Sequence, residues 1–385
     1  FSAGVGGPVT ALITAPRGDG RMICAAERKA VHVLDATGKP VRDLAADGKV
    51  RMLNWWHDHD LLLAGCADEK VIAFDADGQR RWVFVSEMDP AVFRAAKTYW
   101  FKSAPGHGGI HGLHTGLFKG GKSQAFVGSA CTLEIIDEHG KLAKRMAQFW
   151  GKVSHFTIVD GPDGSLNLLA ARKYAGGGAM RIINNRRITP GAGGFLTVPK
   201  GHTFMRGWAN MSRRHILYAD LDGDGVKEVI QDMNGAWNRI TVYTATGEPL
   251  HDASFGPGKR IPYRNMRGLD VADLDGDGKL EIIAATSSGM GVVLDHQCRK
   301  VWSRLLPSPP ALLKAVHPKG AKTAQVYVGC EDGTVVVLDG SGECVDAGTV
   351  AGYPTCIAAL DDSAHEAGIV IATAKGQVTL FDVTH

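Results

Sequence analysis

The chain has 385 residues, 44% hydrophobic and 22% charged, with 49 glycines and a formal net charge of +3. That is ample chain for a large core, and the small positive balance without a long basic run argues against a nucleic-acid partner. No stretch approaches the roughly 18 uninterrupted apolar residues of a membrane-crossing helix. The chain begins at Phe1 and not at Met, which fits a mature product whose secretory signal has been removed, so a secreted or periplasmic location is expected. The seven cysteines are scattered with no CxxC spacing, and Cys24, Cys66 and Cys330 fall at comparable points of apolar segments (MICAA, LAGCAD, YVGCED). Buried, reduced side chains are expected there, and neither a disulfide scaffold nor zinc.

In chain order, one unit recurs: an apolar strand, a turn, a strand ending in small residues, a strand ending in Asp plus Gly, and a short fourth strand. The first unit reads VTALITA, RMICAAE, AVHVLDATGK, VRDLA, and the second VRMLNWW, LLLAGCAD, KVIAFDADGQ, RRWVFV. The third reads GLHTGLF, AFVGSA, TLEIIDEHGK, LAKRMAQ, and the fourth SHFTIVD, LNLLAAR, AMRIINN. Units five and six continue into RITVYTATGE and GVVLDHQCRK. Unit seven is ALLKAVH, AQVYVGCED, TVVVLDGSGE, and the last is TCIAALDD, GIVIATA, QVTLFDVTH. No helical pattern of useful length appears outside a short candidate over 90–97. Such units cannot bury their faces alone, so they stack as a β-propeller. The expectation is one all-β domain over 1–385, a β-propeller of eight four-stranded blades with seven as the alternative. The last unit ends after three strands, so the Phe1–Val9 stretch is expected to supply its fourth and close the ring.

Units five and six each hold the same acidic loop. Asp220-Leu-Asp-Gly-Asp-Gly-Val-Lys-Glu228 is repeated 53 residues later as Asp273-Leu-Asp-Gly-Asp-Gly-Lys-Leu-Glu281. Carboxylates at positions one, three and five, Gly at six and an acid at nine offer hard oxygen ligands from one tight loop, so Asp220, Asp222, Asp224 and Glu228, and Asp273, Asp275, Asp277 and Glu281, are candidate calcium ligands. An EF-hand is excluded, because no Glu stands at position twelve and the β-branched pairs Val229-Ile230 and Ile282-Ile283 follow where a helix would begin. The same residues also make good metal-free hairpins. The loops resemble the FG-GAP type of calcium loop between the first two strands of a propeller blade, and the strand–Asp–Gly endings resemble PQQ-like propeller repeats.

Chemistry is expected where the repeat is interrupted. The lead-in to unit three, 99–114, carries His107, His111 and His114 among glycines, which suits proton transfer at a site that a substrate can approach closely. Unit four carries His155 and Arg172-Lys173-Tyr174, where Arg suits a bidentate grip on a carboxylate and Tyr can exchange a proton. The loops before and within unit five carry His202, Trp208 and Trp237, and the aromatic rings suit the apolar faces of sugars. Each residue also has a packing reading: surface loop histidines, a core His155, and interblade aromatics. His57 and His59 are expected to be solvated at a hairpin, and His32 to be a packing residue.

The runs YWFKSAP, GLHTGLF, FVGSACTLEIID, FWGKVSHF, GPDGS, LLAARKY, GHTF, RGW, DLDGDG and GAWNRITVY resemble the propeller polysaccharide lyases of the ulvan-lyase type. These are related to the propeller enzymes acting on rhamnose–glucuronate caps of arabinogalactan, which include lyases and an α-L-rhamnosidase. The likeness spans most of 99–256. It implies a lyase site of two His, a Tyr and an Arg, in which His111 matches the second His and Arg172 the Arg. The family's Tyr should fall near His155-Phe156 and its first His near position 91, and neither residue stands there, so His155, His107 or Tyr174 would have to substitute. The resemblance implies β-elimination at a uronate. Arg172, with Asn185, would neutralise the carboxylate, His111 or Tyr174 would take the C5 proton, and His155 or Tyr174 would protonate the departing oxygen. Calcium would be structural, the partner an acidic polysaccharide, and the protein a monomer. An α-L-rhamnosidase-type hydrolase acting on the same linkage is the alternative reaction, and a non-catalytic glycan- or protein-binding propeller is the competing class. A quinoprotein dehydrogenase fits worse, since no adjacent Cys pair occurs and Trp does not recur once per blade.

Overall fold

The computed structural model describes residues 1–18, 20–88, 108–161, 164–172, 181–184, 215–233, 239–255, 266–360 and 368–383. These form seven antiparallel sheets of a β-propeller, six with four strands and one with five. Two three-residue 3-10 turns, His57–His59 and Lys119–Gly121, are the only helical pieces among the described residues.

The strand burial explains the layering. The second strands Leu61–Cys66, Glu281–Thr286 and Gly368–Thr373 are buried at all six positions. A strand hidden on both faces reads as an unbroken apolar run, which is how these segments read. The fourth strands Lys300–Leu305 and Cys344–Thr349 are mostly exposed, so they form outer edges and can be polar.

The third and fourth strands of a blade are joined by one recurring turn. In Asp35, Asp75, Asp137, Asp295 and Asp339 the Oδ1 atom accepts the N–H groups two and four residues on, at 2.8–3.0 Å. Three residues after the Asp the backbone turns left-handed, with φ of 80° at Gly78 and 82° at Gly342. Glycine takes that conformation at no steric cost, and the Asp satisfies the turn's amides. Cys298 holds the same place with φ 61°.

Two compact units can be distinguished. In the first, sheets start at Val9, Met266, Pro310 and Pro354. The N-terminal strand Ser2–Gly4 pairs with Gln377–Asp382 and is the fourth strand of the last sheet, as expected. Val5, Val9, Ile23, Val370 and Val378 form one apolar core here, and Leu274, Ile283, Val293, Leu313 and Val326 another. In the second unit the sheet from Val50 packs on that from Gly112 through Trp56, Leu63, Ile110, Leu113 and Val127. The buried Trp56 indole donates to Ser123 Oγ at 2.6 Å, and Ser123 in turn donates to Asp58.

Eight blades are therefore corrected to seven. Units three and four share one five-stranded sheet. Between AFVGSA and TLEIID only Cys131 intervenes, with no Gly, Asn or Asp to turn the chain, so Ser123–Ile136 is one 14-residue strand with a register shift. Likewise Leu142–Asp160 runs 19 residues without a break, from the fourth strand of one unit into the first of the next. His155 accordingly lies inside a strand and does not open one.

A further regularity concerns the first strands. Five of them carry a bulge at the second residue, which is skipped in the pairing: Thr10, Arg51, Arg267, Ala311 and Thr355; Ser154 is skipped in the same way inside Leu142–Asp160. Ile110-His111-Gly112 occupies the place of Val50-Arg51-Met52, with Gly112 opposite Gly128 as Met52 is opposite Gly65. A bulge breaks the ladder locally and can turn a side chain in a new direction.

Candidate functional site

The two acidic loops are built alike. Asp220 accepts the amides of Gly223 and Gly225, each at 2.8 Å, and Asp273 those of Gly276 and Gly278 at 2.7 and 3.0 Å. Glu228 reaches back to the Leu221 amide at 3.0 Å and Glu281 to the Leu274 amide at 2.8 Å. Each loop joins two strands, as expected, the second of which starts at the glutamate. Carboxylate oxygens of Asp220, Asp222 and Glu228 lie within 4.8 Å of one another, and so do those of Asp273, Asp275 and Glu281. Asp224 and Asp277 stand outside these groups and accept the amides of Val226 and Lys279. Burial pushes the Glu228 and Glu281 carboxyls above their ordinary range, the amide bonds work against it, and the neighbouring aspartates add to it. A trio of convergent oxygens whose mutual repulsion is uncompensated suits a hard divalent cation.

The second unit brings three expected catalytic positions together through backbone contacts. The His111 amide donates to Gly128 O at 2.8 Å. A methyl group on Gly112 would lie 2.7 Å from the Phe156 ring and 3.0 Å from Val153 O, and one on Gly128 would lie 2.2 Å from Val153 O. Only glycine permits so close an approach. Val153 pairs with Arg172, and His155 with Ala171. His111, His155 and Arg172 are thus gathered at one end of this sheet. Ser154 Oγ lies 2.7 Å from His155 Nδ1, a hydrogen bond that orients the imidazole.

His114 is placed differently. It sits on Gly112–Leu117 with its ring stacked on Phe126 at 6.3 Å and 27°. Burial pulls its pKa down to about 4, so the ring is neutral near pH 7. His59, expected to be solvated, is half-buried with its ring edge-on to Trp56 at 4.8 Å, while His57 is exposed. His32 Nδ1 lies 2.7 Å from Asp43 Oδ1. Cys24, Cys66 and Cys330 are buried free thiols, and burial pushes the Cys24 thiol up to about 12. His107, Tyr174, Asn185, His202, Trp208 and Trp237 lie outside the described residues.

Arg51 was passed over in the sequence. Its Nη1 donates to the carbonyl of Gly108, three residues before His111. The signal that would have found it is its place in the repeat, the bulge position that His111 also occupies.

No protein-family model and no curated protein sequence matches this chain. Solved structures do. Sqt1 of Saccharomyces cerevisiae is 12% identical with a TM-score of 0.73, the match covering 100% of this chain and 98% of that one. BamB of Moraxella catarrhalis is 14% identical with a TM-score of 0.62 over 100% and 98%. The Dos1 propeller is 10% identical with a TM-score of 0.67 over 99% and 93%. At these identities the likeness bears on the propeller fold alone.

Proposed function

We propose that this propeller is a carbohydrate-active enzyme, a polysaccharide lyase that cleaves a uronate-containing glycan of the rhamnose–glucuronate type by β-elimination. The observation that carries this reading is the meeting of His111, His155 and Arg172 at one sheet end, enforced by Gly112 and Gly128. The step needs a cation over the carboxylate, a base for the C5 proton and an acid for the departing O4. Arg172 answers the first need and His111 the second, with Tyr174 as the other residue able to exchange that proton. His155 protonates O4, its ring held by Ser154. The C5–H and C4–O4 bonds break, a C4–C5 double bond forms, and the proton passes from the base side to the leaving oxygen's side through solvent exchange.

Calcium at the two acidic loops belongs to the same proposal, as a structural ion. The donor set supports it: three convergent carboxylates per loop, all oxygen, with burial raising the energy of the uncompensated charge. Asp220, Asp222 and Glu228 would hold one ion, and Asp273, Asp275 and Glu281 the other. Exposed loops of this kind suit the high calcium outside cells, in keeping with a secreted or periplasmic monomer acting on an acidic polysaccharide. Among the described residues no helix is long and apolar enough to cross a membrane.

The test is incubation with ulvan and with gum-arabic arabinogalactan, following ultraviolet absorbance of the unsaturated uronate and the sugars released. A rise in absorbance that falls by about 100-fold or more in both His111→Ala and Arg172→Ala supports the lyase. Free rhamnose without absorbance replaces it with the hydrolase, and no product from either glycan replaces it with a binding propeller.

A further inference from the structure

Arg51 carries a consequence for how the glycan is held. Most described arginines are matched with an acid: Arg80 with Asp47, Arg145 with Glu134, Arg239 with Asp252, Arg304 with Glu343. Arg267, the other arginine at a bulge position, reaches Glu331 on the next sheet at 3.7 Å. The repeat makes the comparison direct. In the sheet that follows Arg267, Leu312 pairs with Gly329, and Glu331 stands two residues on. In the sheet that follows Arg51, Gly112 pairs with Gly128, and the residue two positions on is Ala130. The acid that neutralises the bulge arginine in one place is a methyl group in the other. Among the described residues Arg51 makes no ion pair, and its hydrogen bond is that from Nη1 to Gly108 O. The nearby Glu69 spends Oε1 on the Gly109 amide at 3.2 Å. A methyl group on Gly108 would come 3.9 Å from His111 Nε2, so the guanidinium and the imidazole converge on one glycine.

A guanidinium with no acidic partner among the described residues, only partly exposed and tied by one donor to a loop carbonyl, still has donors to offer an oxyanion in the plane of its fork. We propose that Arg51 is a substrate-binding residue that grips a uronate carboxylate of the glycan beside His111. The proposal rests on the glycan reading above, but it concerns recognition and can be measured without turnover. It adds a second cation to a site in which the sequence singled out Arg172 alone. It also makes the site selective for acidic over neutral sugars.

The test uses the full chain carrying His111→Ala, so that binding is read without cleavage. Calorimetry with ulvan oligosaccharides is run in parallel with the same oligosaccharides after reduction of their carboxyl groups. Arg51→Gln is expected to weaken binding of the acidic oligosaccharides roughly 10- to 100-fold and to leave the reduced ones unchanged. Arg51→Lys keeps the charge and a donor for Gly108 O, so it should fall between the two; it also guards against a folding defect, checked by melting. In the chain that retains His111, Arg51→Gln should raise KM more than it lowers kcat. Equal binding of the acidic oligosaccharides by parent and Arg51→Gln overturns this inference and leaves the lyase reading standing. Arg51-dependent binding with no unsaturated product from the chain that retains His111 overturns the lyase reading and leaves the anion site standing. Failure of the parent to bind either oligosaccharide overturns both.

Discussion

The Leu280 amide donates to the Leu221 carbonyl at 2.9 Å, and that bond ties the two acidic loops together. Leu221 is the second residue of the first loop, and its own amide is held by Glu228. Leu280 immediately precedes Glu281, an acid of the second loop. A movement of Glu228 therefore reaches Glu281 through two hydrogen bonds and one peptide. If each loop holds calcium, chelator should lower the melting temperature, and each site at a hundredfold excess over its Kd contributes about 2.7 kcal/mol. Asp220→Asn should weaken its own site and also lower affinity at the second loop by roughly fivefold or more. Calcium titration by calorimetry reads both. A second-loop affinity identical in the variant breaks the coupling, and a melting temperature indifferent to chelator removes the ion.

His114 makes stability depend on pH in a predictable direction. Its ring is half-buried and stacked on Phe126, and its folded-state pKa is lowered from 6.5 to about 4. In the unfolded chain the ring takes a proton near its ordinary value, so between those values the unfolded state binds more protons. Stability is then fully present above pH 6.5 and is lost as pH falls toward 4, by up to about 3 kcal/mol from this residue. His114→Phe keeps a ring to stack on Phe126 and removes the titration. Urea melts of both proteins at pH 7 and pH 4.5 should show a smaller acid loss in the variant. Equal losses would mean that His114 is already charged in the folded protein.

Most of the fold was legible in the sequence because each signal is local. The apolar runs such as LLLAGCAD read as strands ending in small residues, and the Asp-plus-Gly endings announced the turn to the fourth strand. The acidic loops were legible for the same reason, and three of the four expected acids in each converge; Asp224 and Asp277 stand outside the groups and accept the amides of Val226 and Lys279. What failed was counting. A repeat count assumes a turn wherever a unit needs one; Ala130-Cys131-Thr132 offers none inside unit three, and Leu142–Asp160 runs unbroken from unit three into unit four, so the two units merged. Arg51 was illegible for a different reason. Its meaning lies in a bulge, which is a matter of pairing register, and in the absence of an acid at Ala130 on another sheet. The juxtaposition of His111 with Ser154-His155 was half-visible. Glycines flanking a histidine were read as room for a substrate, whereas Gly112 and Gly128 make room for the backbone of Val153.

That last distinction can be tested at Gly128. A methyl group there would lie 2.2 Å from the Val153 carbonyl and 2.9 Å from the Phe156 ring. Backbone cannot yield as a flexible side chain can, so Gly128→Ala must push 153–156 away from 111–112. Overpacking of this kind costs roughly 1–3 kcal/mol. The functional effect should exceed the loss of stability, because the displaced segment carries His155 and pairs with Arg172. Gly116→Ala in the same sheet is the control. Its methyl would meet only the Ile158 Cδ1 atom at 2.8 Å, the far end of a side chain that can turn aside. Melting, ulvan-oligosaccharide binding and unsaturated-product formation should be near normal in Gly116→Ala. In Gly128→Ala binding and product formation should be lost at temperatures where the protein is still folded. A Gly128→Ala protein that melts, binds and reacts like the parent would separate His111 from His155 and Arg172, and with it dissolve the site proposed above.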